Sequence, residues 1–137
     1  MQARRHMEID LRRALVTKEF EVHYQPIFDL SSNEICGFEA LIRWKHPSRG
    51  LVSPGEFIPI AEEIGVIVQI GHWVLHEACK EATRWPSNLK IAINLSPAQF
   101  KSPRLLASVV SALSESGLPA ARLELEVTES VLLQESD

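Results

Sequence analysis

Cysteine is scarce in this sequence: Cys36 and Cys79 are the only two among 137 residues. Two thiols build no disulfide framework, which excludes a bridge-stapled secreted scaffold and makes the reducing cytoplasm the expected compartment. No apolar run approaches the roughly 18 residues that a membrane-spanning helix needs. The opening stretch MQARRHMEIDLRR is charged throughout and lacks the apolar centre of a secretion signal. A basic excess is missing too: 14 Lys and Arg face 18 Asp and Glu, a net charge of -4, which argues against a nucleic-acid polymer as partner. The sequence also has no phosphate-cradling Gly-rich loop and no Ser/His/Asp or Cys/His arrangement with local support.

What is present is a chain of domain size with 45% apolar residues, enough to build a core and too many for intrinsic disorder. Acid gathers near one end: Glu124, Glu126, Glu129, Glu135 and Asp137 stand against Arg122 alone. A solvated acidic tail is the plain reading, and cation chemistry is the functional one.

Periodicity divides the chain into alternating elements. Met7 to Leu15 predicts an amphipathic helix with Glu8 and Arg12 at the i,i+4 spacing. Phe20 to Phe28 and Ile35 to Trp44 predict two strands, joined by a Ser31-Ser32-Asn33 turn and therefore antiparallel. Ser53-Pro54-Gly55-Glu56 predicts a helix start with a Ser53/Glu56 capping box. A long helix is expected from Val66 to Trp85, then a strand from Lys90 to Leu95. Ser102-Pro103 opens another helix, which Gly117 and Pro119 end. Arg122 to Val127 predicts a fourth strand, and Ser130 to Leu133 the start of a helix. After the hairpin, this order is that of an α/β fold with right-handed crossovers.

The strands carry polar residues opposite their apolar faces. Phe38, Ala40 and Ile42 oppose Glu39, Leu41 and Arg43; Ile91, Ile93 and Leu95 oppose Ala92, Asn94 and Ser96; Leu123, Leu125 and Val127 oppose Glu124, Glu126 and Thr128. A sheet wrapped by helices on both sides would be apolar on both. A barrel with helices outside and polar side chains converging on its lumen accounts for the pattern. Glu39, Asn94 and Glu126 are hard oxygen donors, the set expected for Mg²⁺ or Mn²⁺, and Arg43 can hold a phosphate. Structural salt bridges inside a barrel are the competing reading.

Five motifs in order make a resemblance specific. Tyr24-Gln25-Pro26-Ile27, GFEALIRW around Glu39-Ala40-Leu41, PGEFIPIAEE, Asn94-Leu95-Ser96 and Glu126-Val127-Thr128-Glu129-Ser130 together resemble the EAL family of cyclic di-GMP phosphodiesterases. The likeness runs from about Leu11 to Asp137. It implies a TIM-barrel variant with an antiparallel first strand, and hydrolysis of cyclic di-GMP to the linear dinucleotide by water activated between two divalent metals. It further implies that Glu39, Asn94 and Glu126 are metal ligands and that Gln25, Leu41 and Arg43 contact the dinucleotide. Glu129 resembles a glutamate that steadies an active-site loop, completing a catalytic set with Glu39 and Glu126.

A full barrel of this kind needs about 250 residues. The match stops before the family's Asp-Asp-Phe-Gly-type strand end, lysine, and later glutamate and glutamine. The expectation is therefore about half an EAL barrel, with metal binding weak or absent and no useful hydrolase activity alone. Its open sheet edge favours self-association. The arginine-rich opening helix resembles the connector that follows a GGDEF cyclase domain, which divides the chain into a connector helix, 1–17, and the N-terminal half of an EAL domain, 18–137. The alternative is a degenerate EAL module that binds nucleotide or a protein partner.

Two other patterns compete for attention. His72, His76 and Cys79 at i, i+4 and i+7 have a spacing that can suit Zn²⁺, but the sequence supplies no fourth ligand nearby. Arg43, Lys45, His46 and Arg49 surround Trp44 as a basic cluster with an aromatic platform would. Trp73 and Trp85 read as packing residues of the long helix.

Overall fold

The computed structural model describes residues 2–127. Its elements are α1 (Gln2–Ala14), β1 (Phe20–Phe28), β2 (Ile35–His46), β3 (Gly50–Val52), α2 (Pro54–Glu63), α3 (Ile67–Ala82), β4 (Lys90–Leu95), α4 (Pro97–Lys101), α5 (Leu105–Ser116) and β5 (Leu123–Val127), with a 3₁₀ turn at Ala120–Arg122. The strands form one sheet in the order β1-β2-β4-β5, with β3 paired to β2. β1 and β3 run antiparallel to β2, whereas β4 and β5 continue in parallel. This is the expected α/β order with an antiparallel first strand. The parallel pairs β2/β4 and β4/β5 each enclose helices in their connection, as crossovers require.

The helices cover the apolar face of the sheet. One half of the core gathers Trp44, Phe57, Leu11 and Ile70 with Met7, Phe20 and Val52. The Trp44 ring lies 5.4 Å edge-on from Phe57 and 5.7 Å from Phe20. The other half joins Ile91 and Ile93 to Leu75, Cys79, Ala112 and Leu118. Trp85 packs against Tyr24 and Phe38, and Trp73 against Phe20, so both are the packing residues expected. Each large side chain fully withdrawn from water contributes about 1.5–3 kcal/mol.

A charged network ties α1 to the sheet. Glu19 is 9% exposed and accepts from Arg13 through Nε at 2.8 Å and Nη2 at 3.0 Å. The indole of Trp44 donates to Glu19 at 3.0 Å, and the Thr17 hydroxyl donates to it as well. Arg13 also reaches Asp10 at 3.1 Å, and Asp10 lies 2.6 Å from His46 Nε2. His46 Nδ1 accepts backbone N–H groups of Ser48 and Arg49, each at 3.1 Å, so the ring proton sits on Nε2 and is donated to Asp10.

Several local expectations are corrected. Ser53 does sit before Pro54 at the start of α2, but its side chain makes no cap hydrogen bond, and Glu56 turns to Arg49 at 3.1 Å. The capping box belongs to Ser96 and Gln99, where α4 follows β4. Among the described residues Glu8 and Arg12 form no ion pair; in that helix Arg13 pairs with Asp10 and Glu19, and Arg4 with Glu63. α3 ends at Ala82 rather than Trp85, and Arg122 belongs to the 3₁₀ turn, its guanidinium held by the carbonyls of Leu89 and Ala82. Strand β3 extends the anticipated four strands to five. Ser102 closes α4, and α5 begins two residues beyond Pro103; Gly117 ends α5 in a left-handed conformation, φ 79°. The helix anticipated at Ser130 to Leu133 lies outside the described residues.

The Arg13 guanidinium, first among several donors, holds the Glu19 carboxyl at about 2, below its ordinary 4.5. A depressed folded-state value means that protonation favours the unfolded chain. The contribution is complete above about 4.5 and disappears as pH falls toward about 2. Urea midpoints should therefore drop through that window, and drop less in Glu19→Gln. At neutral pH, Glu19→Ala should lower the unfolding free energy by about 3 kcal/mol, because it strips partners from Arg13 and the buried Trp44 indole.

Candidate functional site

The face of the sheet away from the helices is polar because alternate residues of every long strand point to it. Register aligns them. Glu21, His23 and Gln25 of β1 stand opposite Arg43, Leu41 and Glu39 of β2. Asn94 of β4 stands opposite Glu126 of β5. Between these pairs, β2 and β4 are offset so that Glu39 faces Ala92, and Asn94 reaches diagonally back across the ladder. Its Nδ2 donates to Glu39 Oε2 at 2.8 Å. Gln25, Glu39, Asn94 and Glu126 thus form a row across four neighbouring strands, a span of about 14 Å at the ordinary strand spacing.

Gly37, two residues before Glu39, allows this close β2/β4 approach. A Cβ there would lie 2.5 Å from the Lys90 carbonyl oxygen, so any side chain would push the strands apart.

The chemistry of the row follows from its donors. The amide that gives its NH₂ to Glu39 keeps its carbonyl oxygen as an acceptor. With Glu39 and Glu126 it presents hard oxygen atoms and no thiolate, the donor set that suits Mg²⁺ or Mn²⁺. Among the described residues no three His, Cys, Asp or Glu side chains gather to hold a metal ion, so the site depends on Asn94 to join its two carboxylates. Arg43 is half-buried, donates through Nη1 to the Ile42 carbonyl at 2.9 Å, and forms no ion pair among the described residues. Glu21, opposite it, is engaged by Lys45 at 3.0 Å and by His23 at 3.2 Å, and both hold its carboxyl below the usual range. The remaining guanidinium donors of Arg43 are left for an anion.

The β2/β4 ladder ends at Ala40 and Ile93, where β2 turns its edge to β3. The strands open there on a cavity of about 230 Å³ between their ends and helices α2 and α3, lined on one side by Leu41, Arg43, Asn94 and Ser96, on the other by Ile58, Ile67, Ile70 and Val74, with Gly71 and Gln99 behind. This cavity lies at the C-terminal ends of the parallel strands, where α/β barrels build their sites. Glu62 of α2 also reaches this corner. Burial raises its carboxyl, and a hydrogen bond with the Ser96 side chain opposes the rise. Sequence reasoning puts Ser96 on the polar face and Glu62 within PGEFIPIAEE but gives neither a role, and it misses Gln99, although Ser96-Pro97-Ala98-Gln99 carries the Ser-x-x-Gln signal of a capping box.

The structure brings together Gln25, Glu39, Leu41, Arg43, Asn94 and Glu126 on one face. Glu129 lies outside the described residues. The zinc spacing on α3 forms no site: Cys79 is fully buried with its thiol pushed up to about 11, His72 meets Ser108, and His76 meets Glu115. Nor does the basic cluster form a platform, since Trp44 is fully buried and Lys45, His46 and Arg49 each face an acid.

With this geometry in place, likeness to known proteins becomes informative. The chain is 52% identical over 137 residues to the uncharacterized protein y4lL of Sinorhizobium fredii and spans 17% of that protein. It is 45% identical over 132 residues to the bifunctional diguanylate cyclase/cyclic di-GMP phosphodiesterase MucR of Pseudomonas aeruginosa, covering 93% of this chain and 19% of MucR. The solved structure of the PaMucR phosphodiesterase in complex with c-di-GMP superposes with a TM-score of 0.90 at 43% identity, over 96% of this chain and 55% of that one. The chain thus spans about half of a TIM-barrel domain and less than a fifth of these longer relatives. The pattern that defines the EAL domain matches residues 8–137. On that match, supported by the shared fold, this chain belongs to the EAL domain family.

Proposed function

We propose that this chain supplies the β1–β5 part of a cyclic di-GMP phosphodiesterase site. The observation that carries the reading is the row Gln25, Glu39, Asn94 and Glu126 beside an Arg43 with no ion pair among the described residues. The likeness to a phosphodiesterase solved with c-di-GMP supports it. Glu39, Asn94 and Glu126 would hold Mg²⁺ or Mn²⁺. A bound divalent cation supplies Lewis acidity and lowers the pKa of the attacking water.

The protein's own groups then have distinct tasks. Asn94 fixes the Glu39 carboxylate by donating to Oε2, which reduces the freedom it must lose on binding. Arg43 donates to non-bridging phosphate oxygens and offsets their charge. Gln25 offers both an amide donor and an acceptor to the dinucleotide, and Leu41 an apolar contact. Glu129 belongs to the same proposal as the residue that steadies a neighbouring loop. The 1–17 segment acts as connector from a GGDEF cyclase domain, held to 18–137 by the Arg13–Glu19 pair. The outer edge of β5 receives the rest of a barrel or a second copy. The cytoplasm, where the dinucleotide signal operates, is the proposed location.

Titrations followed by ¹H–¹⁵N spectra test this site. Mn²⁺ should broaden Glu39, Asn94 and Glu126 first, and cyclic di-GMP should shift Gln25, Leu41 and Arg43. Arg43→Ala should weaken dinucleotide binding about tenfold or more, the loss expected for a charge-assisted hydrogen bond. Effects scattered over the surface would reject the assignment. Linear dinucleotide is not expected to accumulate in the same samples; its steady appearance would assign turnover to this chain and overturn the expectation that it has no useful hydrolase activity alone. Stability gives the control: Glu39→Gln and Asn94→Ala should each change the urea-derived free energy by less than about 1 kcal/mol, because neither side chain belongs to the core.

A further inference from the structure

A cleft larger than the strand-end cavity lies away from the strand face. It lies between α3, α4 and α5, with a volume of about 490 Å³. That is within the usual range for small-molecule sites, which combine an apolar lining with a few placed polar groups. Val68, Leu75, Leu105 and Ala107 supply apolar lining, while Arg104 carries the only charged side chain among the lining residues. No carboxylate lines the cleft, and Arg104 has no ion pair among the described residues. On the α3 side, His72 Nδ1 meets Ser108 Oγ at 2.7 Å, which leaves the other ring nitrogen for a ligand.

One residue is shared by the linings of this cleft and the inner cavity. Gln99 lines both, is only 7% exposed, and lies directly over Gly71. A Cβ at Gly71 would fall 1.7 Å from Gln99 Nε2, so the glycine is what allows the amide to lie against α3. The same amide accepts the Ser96 N–H at 3.1 Å, and Ser96 follows Asn94 by two residues.

We infer that the α3–α5 cleft binds a small carboxylate with a compact apolar body. The apolar part lies on Val68 and Leu105, and the carboxylate takes the Arg104 guanidinium. Gln99 forms the shared wall through which an occupant is felt at Ser96 and, beyond it, at Asn94. The site is separate from the strand face, and its test needs neither metal nor cyclic dinucleotide.

2-Naphthoate is a suitable probe, with uncharged 2-naphthamide as its control, both titrated into the full chain and followed by ¹H–¹⁵N spectra. Saturable naphthoate binding is expected, with shifts centred on Leu105, Ala107 and Ser108 and reaching Gln99 and Ser96. Naphthamide and the Arg104→Glu variant should each weaken binding about tenfold or more. Arg104 is exposed, so that variant should keep the fold, which circular dichroism verifies. If it does not, Ala107→Trp, at another exposed position, fills the cleft and should abolish binding. The inference is overturned by absence of saturable binding at millimolar probe, by equal binding of acid and amide, by a folded variant that binds as the parent does, or by shifts that bypass Gln99.

Discussion

The period-two alternation of β2 is the constraint on which most of this structure depends. This strand pairs with β1 along one edge and with β4 and then β3 along the other. Ala40 and Trp44 are buried on its helix-covered side, while Glu39, Leu41 and Arg43 occupy the opposite side. A slip of one residue would exchange these sets, placing a carboxylate and a guanidinium against the helices and an indole in water. The burial of Trp44 between Phe20 and Phe57 therefore fixes where Glu39 and Arg43 point. Core packing sets the register, and the register orients the site.

Charge is handled in two different ways on the two faces. Glu19 is taken out of water and answered by Arg13, Thr17 and the Trp44 indole, so its ionised form is stabilised within the fold. Glu126 is exposed and Glu39 half-buried, the latter with one amide donor from Asn94. A buried carboxylate without partners would carry a desolvation cost of several kcal/mol. A carboxylate already saturated with donors would have little to offer a cation. The strand face avoids both extremes, keeping oxygen atoms solvated while backbone register holds their spacing.

The legible and illegible parts of the sequence divide along physical lines. Phe20 to Phe28 and Lys90 to Leu95 coincide with β1 and β4, the first from the alternation of Phe20, Val22 and Tyr24 with polar residues and the second from the short apolar run Ile91-Ala92-Ile93 bounded by polar residues. Helix ends were less legible: Ser53 has the residue type of a cap, yet Arg49 competes for its intended partner Glu56. Strand β3 is three residues long, too short to show a period, and exists because the far end of β2 offers it a partner. The row of Gln25, Glu39 and Asn94 was visible as polar positions within apolar strands. Its diagonal contact was not, since the offset between β2 and β4 is a tertiary property.

Gln99 shows how far such tertiary effects extend beyond the strands. Its backbone lies in the first turn of α4, and its side chain completes the Ser96 capping box, so local sequence accounts for its presence. Its position over Gly71 has another origin, the packing of α4 against α3, because only a residue without a side chain at 71 leaves that space. A cap formed against α3 in this way couples the end of β4 to a helix on the outer surface. Asn94 is consequently held from two directions, by the β4 ladder before it and by the Ser96–Gln99 corner after it. The strand face has polar side chains that are half-buried or exposed and lie outside the two core clusters. The position of its central amide is nevertheless set by buried groups, which is how an open site acquires a fixed geometry.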